Sequence, residues 1–120
     1  MPGVTGDAVL PPAVSVGSLV VLHCASPREK HWGLLLSMDP LGVALRGLDL
    51  DSVEDWMAQE RAGGPKLIAP STFFVPTHRV IRIDLDESGP FVEGYGARFR
   101  REAGRDVRDA LLGGGDNGAN

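Results

Sequence analysis

Residues 31–50 read HWGLLLSMDPLGVALRGLDL. Two apolar runs flank Asp39-Pro40-Leu41-Gly42, a tight-turn sequence, so the stretch predicts a β-hairpin. Before the turn, period-two alternation places Trp32, Leu34, Leu36 and Met38 on one face and His31, Gly33, Leu35 and Ser37 on the other. After it, Val43 and Leu45 share one phase while Ala44 and Arg46 share the opposite one. A hairpin apolar on both faces belongs inside a small β domain.

Strand signals continue on either side. Upstream, aliphatic residues 18–24 follow Gly17 and end in the polar turn SPREK at 26–30. Downstream, Asp51 or Ser52 is placed to cap a short helix over about residues 52–61. Val53, Trp56 and Met57 fall at i, i+3 and i+4 on it, and Gly63-Gly64-Pro65 ends it. A fourth strand is expected at 72–75 and a fifth at 80–85, joined across Pro76-Thr77-His78. In the fifth, Ile81, Ile83 and Leu85 alternate with Arg82, Asp84 and Asp86. Residues 97–103 read as helix with a stop at Gly104, and Asp106 begins a last turn through Leu112. The resulting division is a disordered lead-in at 1–15, a barrel domain at 16–87, a helical extension at 88–112 and a disordered tail at 113–120. Phe99 and Leu111 are expected to pack the extension on the barrel.

The expected fold class is mainly β: a five-stranded, strongly bent antiparallel barrel. It has a helix inserted between strands three and four and a short helical C-terminal extension. Three meander strands, an insertion and two strands across a tight turn resemble the SH3-like small barrels, and among them the Sm/LSm (Hfq-like) family. The likeness lies in Gly33-x-Leu35-x-x-x-Asp39 followed by Val43-x-Leu45, similar to the first Sm motif, with Phe73–Ile83 standing where the second would. The resemblance implies RNA binding around an oligomeric ring through Asp39, His78 and Arg79. The turn Pro40-Leu41-Gly42 lacks the motif's asparagine, and Thr77-His78-Arg79 replaces its Arg-Gly. Such a barrel leaves strands four and five as edges that must be paired or covered.

Composition narrows the classes. At 120 residues the chain makes one domain, and a formal net charge of −4 opposes general binding to a polyanion. No DNA partner is therefore expected. Cys24 is the only cysteine, which excludes an intramolecular disulfide and points to a reducing compartment. The first residues lack the basic and apolar regions of a secretory signal, and no apolar run approaches a membrane span. The expected location is the cytoplasm, with no membrane partner.

Candidate binding residues are Asp39, His78 and Arg79 at the two turns, with Lys30 and Arg46 (beside Arg28) as a small basic patch. Arg79 is suited to a phosphate or carboxylate, or to pairing with Asp84 or Asp86. His23, Cys24 and His31 are zinc ligands by type, but adjacent strand residues point to opposite faces, so no metal site is expected from them. Trp32 and Trp56 read as core. The arginines at 98, 100, 101, 105 and 108 suit a solvated helix face, RNA, an acidic partner or the acidic helix at 49–60. No nucleophile elbow, zinc-protease signature or phosphate loop occurs, so no enzyme and no cofactor is expected. The leading expectation is a non-enzymatic binding module acting through protein–protein or self-association contacts, with an RNA-binding Sm/Hfq-like ring as the alternative.

Overall fold

The computed structural model describes residues 13–113; the disorder expected for 1–12 and 114–120 lies outside the described residues. Its elements are β1 (Leu19–Cys24), β2 (Glu29–Asp39), β3 (Gly42–Asp49), a 3₁₀ turn (Leu50–Ser52) and α1 (Val53–Ala62). After these come β4 (Ser71–Pro76), a second 3₁₀ turn (Thr77–Arg79), β5 (Val80–Leu85), α2 (Tyr95–Ala103) and α3 (Val107–Leu112). The strands form one antiparallel sheet in the order β4-β3-β2-β1-β5. The sheet is not closed, and β4 and β5 are its edges.

Both faces of the sheet are buried, by different means. On one face Leu19, Trp32, Leu34 and Leu48 pack under Val53, Trp56 and Met57 of α1, Phe99 of α2, and Val107 and Leu111 of α3. Trp56 stacks on Phe99 with centroids 5.3 Å apart, and Trp32 lies 5.9 Å from Trp56. Aromatic pairs of this kind add about 1 kcal/mol each beyond the area they bury. On the other face Val20, Leu22, Cys24, Leu35, Val43, Leu45 and Val75 form a second cluster, with Val80, Ile83 and Leu85 packed on it. Among the described residues no helix contributes to that cluster, which is built from the strands themselves. Val14 also packs there, which brings part of the expected lead-in into the domain.

Glycines permit the close approach of β2 and β3. Gly33 pairs with Gly47 across the two strands. A Cβ on Gly47 would stand 2.0 Å from the Trp32 carbonyl oxygen, and one on Gly33 would stand 2.4 Å from that of Arg46. Neither position admits a side chain without moving backbone.

Two register shifts correct the expected alternation. The β2–β3 ladder shifts between Leu35 and Ser37, so Met38 pairs with Val43 and leaves the Trp32 face. The β1–β5 ladder shifts between His23 and Cys24, pairing Cys24 with Val80. Val80 therefore turns inward and Ile81 is left 55% exposed. The expected cap of α1 is also absent: Ser52 stands at the N-cap position without a side-chain cap hydrogen bond, and Asp51 lies in the 3₁₀ turn that leads into the helix. Gly63 ends α1 and Gly104 ends α2, both in the left-handed conformation, as their positions predict.

Asp86, one residue beyond β5, ties the helices to the sheet. Its carboxylate accepts from the backbone N–H groups of Tyr95 (2.7 Å) and Gly96 (2.8 Å) at the start of α2. It also accepts from the Trp32 indole N–H at 3.2 Å. Gly94 and Gly96 let the backbone come this near, since a Cβ on Gly94 would meet the carboxylate at 2.9 Å and one on Gly96 would meet Leu19 at 2.6 Å. Replacing Asp86 with Ala removes three acceptor contacts and strands the Trp32 N–H in the core. We expect a loss of about 3 kcal/mol in urea-unfolding stability, with an unchanged denaturant slope.

Candidate functional site

The face of the sheet that carries Cys24 and Leu35 ends in a polar rim. Glu29 and His31 are two residues apart on β2 and so share a face, and Glu29 pairs across the hairpin with Cys24. His31 pairs across to Asp49 on β3. The His31 ring thus lies between two carboxylates, with Nε2 3.1 Å from Glu29 Oε1 and Nδ1 3.5 Å from Asp49 Oδ1. Its ring centroid is 4.8 Å from that of Phe73 on β4. Beside this rim opens a cleft of about 450 Å³, lined by Gly47, His31, Asp49, Ile68, Phe73 and Arg79.

Arg79 closes the rim from the β4–β5 turn. It donates to the carbonyls of Ala25 (3.2 Å) and Pro27 (2.8 Å) and to Glu29 Oε1 (3.2 Å). The Ala25 N–H in turn donates to the Arg79 carbonyl at 2.8 Å. Arg79 therefore pairs with Glu29, not with the expected Asp84 or Asp86. Hydrogen bonding to His31, then to Arg79, holds the Glu29 carboxyl below its ordinary range. Burial pushes the Cys24 thiol upward despite the nearby Arg79 charge, so at neutral pH it is protonated and a weak nucleophile.

The other expected binding residues are dispersed. Asp39 accepts from the backbone N–H groups of Leu41 (2.8 Å) and Gly42 (3.3 Å), which closes its own hairpin turn. Thr77 brings the β4–β5 turn to that hairpin, donating from its backbone to the Leu41 carbonyl and from its hydroxyl to the Pro40 carbonyl. Asp39 and His78 thus lie on adjoining turns, and His78 is exposed. Arg46 belongs to no patch with Lys30: its guanidinium donates to the Leu111 carbonyl at 2.7 Å and to Thr72 at 3.4 Å. Lys30 and Arg28 remain at the β1–β2 turn, where Glu29, Asp49 and Asp51 surround them. His23 points away from Cys24, with Nε2 2.8 Å from Asp84.

The arginine-rich segment meets the acidic helix of its own chain. Arg98 pairs with Glu54 (2.5 Å), Arg105 with Glu60 (2.6 Å), and Arg61 with Glu102 (2.8 Å). Of these acids Glu60 is the least exposed, and it also accepts from Lys66 at 2.9 Å. Burial pushes the Glu60 carboxyl up, but the hydrogen bonds from Arg105 and Lys66 outweigh it and leave the pKa below its ordinary 4.5.

Sequence reasoning missed Glu29, Asp49, Asp86 and Gln59. The last clamps the loop after α1, donating to the Ile68 carbonyl and accepting from the N–H groups of Leu67 and Ile68. The alternation of β2, continued back past His31, reaches Glu29 and was the available signal. The chain matches no protein-family model, no curated protein and no solved structure.

Two measurements check these assignments. Because the folded pKa of Glu60 is depressed, its stabilisation is present above about pH 4.5 and disappears as pH falls through the folded value. The melting temperature of wild type should exceed that of Glu60→Gln at pH 7, and the gap should shrink steadily below pH 4.5. Arg79→Lys should lose about 1–2 kcal/mol in chemical denaturation, because one ammonium cannot span two carbonyls and a carboxylate in the geometry of a guanidinium fork.

Proposed function

We propose that this chain is a non-enzymatic binding module that associates by adding a strand at the β4 edge of its open sheet, a second copy of the chain serving as partner. The observation that carries this reading is the character of β4. It pairs only with β3 among the described residues, and its sequence STFFVP contains no charge. Edge strands are ordinarily protected by charged residues, prolines or bulges, and of these β4 has only Pro76 at its end. Its Phe74 points to the side opposite Phe73 and Val75, with its ring beside Gly42, and is still 53% exposed. The opposite edge is guarded differently, since β5 carries the exposed Arg82–Asp84 pair and a register shift.

An uncharged strand can pair with its own copy about a two-fold axis without like-charge repulsion. Two Phe74 rings brought together this way supply an aromatic cross-strand pair of about 0.5–1 kcal/mol. The strand order β4-β3-β2-β1-β5 supports the wider reading of the fold as an open, SH3/Sm-like barrel. RNA recognition has less support, because Arg46 and Arg79 are spent on internal acceptors and the remaining turn cations sit among carboxylates.

Sedimentation velocity at tens of micromolar tests the proposal. A reversible dimer is expected, with Phe74→Lys weakening it at least tenfold while the far-ultraviolet circular dichroism is unchanged. A monomer at that concentration, or a dimer indifferent to Phe74→Lys, overturns it.

A further inference from the structure

Three donor atoms of different chemistry converge where β1 ends and β2 begins. Cys24 Sγ, a Glu29 carboxylate oxygen and a His31 ring nitrogen all lie within 4.8 Å of one another. We propose that Cys24, Glu29 and His31 form a binding site for a divalent zinc-type cation, its fourth coordination position open to water. This goes beyond the strand-addition reading and does not depend on it.

The donor types decide the class of metal. A thiolate and an imidazole beside one carboxylate suit Zn²⁺, whereas Mg²⁺ and Ca²⁺ take oxygen sets. Ligand atoms around a tetrahedral zinc stand roughly 3.5 Å apart, so the cluster must contract by up to about 1.3 Å. Glu29 supplies that movement, because its side chain is 38% exposed while Cys24 is held in the core. The pairing of Cys24 with Glu29 across the hairpin fixes the two backbones at the required spacing.

The surroundings fit as well. His31 Nε2 is hydrogen-bonded to Glu29, so to ligate it gives up that bond and its proton moves to Nδ1, where Asp49 accepts it and orients the ring from behind. Arg79 approaches Glu29 through Oε1, which leaves Oε2 for the cation. Arg79, Arg28 and Lys30 oppose a positive ion here, and Asp49 favours one. The ionised thiol and carboxylate together cancel the charge of the dication. On binding, the Cys24 S–H bond breaks, the sulfur keeps the electron pair as a metal ligand, and the proton passes to solvent.

Titration of the full chain with Co²⁺ tests this, because thiolate ligation gives a ligand-to-metal absorption band in the near ultraviolet. One equivalent should develop that band together with tetrahedral d–d absorption, and Zn²⁺ should then bleach both. Cys24→Ser should abolish the charge-transfer band. His31→Gln, at the rim where folding is least at risk, should weaken Zn²⁺ affinity at least tenfold with unchanged circular dichroism. Co²⁺ spectra without the charge-transfer band, or His31→Gln binding Zn²⁺ as tightly as wild type, overturn the proposal. The His31→Gln result decides the matter even if Cys24→Ser fails to fold.

Discussion

The Asp86 carboxylate is the point at which the two halves of the molecule are joined. It sits where the sheet ends and faces both the Trp32 indole of the core and the first N–H groups of α2. A buried indole needs an acceptor, and a helix start needs its orphan N–H groups satisfied; one side chain meets both needs. The placement of α2 follows from it, and with α2 goes Phe99, which stacks on Trp56. The start of α2 is therefore fixed by a single acidic residue just beyond the last strand.

Electrostatics reinforce the same layer. The central helix supplies Glu54 and Glu60, and the C-terminal segment supplies Arg98 and Arg105. Exposed pairs of this kind each contribute little, about 0–1 kcal/mol. Glu60 differs because it is shielded and accepts from two cations, so its ionisation is coupled to the docking of the segment that follows α2. The arginines are thereby drawn into the fold, and the C-terminal region presents less free positive charge than its composition implies.

Much of the fold was legible because it rests on periodicity. All five strands, the inserted helix, its stop at Gly63 and the packing roles of Trp32, Trp56, Phe99 and Leu111 follow from the spacing of apolar residues and glycines. The bulges were not legible: a register shift is a property of two strands, and neither Met38 nor Ile81 announces locally that its phase will slip. The rim was half legible. Cys24 and His31 draw notice by type, whereas Glu29 falls in the SPREK turn and Asp49 at the head of the acidic segment 49–60. Both acids reach His31 only through strand pairing. By alternation Asp86 is one more polar position beside Arg82 and Asp84, since nothing in the sequence reveals that the chain returns to it ten residues later.

The Gln59 clamp carries a consequence for how β4 behaves. By holding both the N–H and the carbonyl of Ile68, it anchors to α1 the segment that delivers the chain to Ser71. At the other end of β4, Thr77 fastens the chain to the hairpin at Pro40 and Leu41. The strand is thus tethered at both ends before anything meets its free side. A strand added at that edge would find it already ordered, so the conformational entropy lost on pairing would be almost entirely its own.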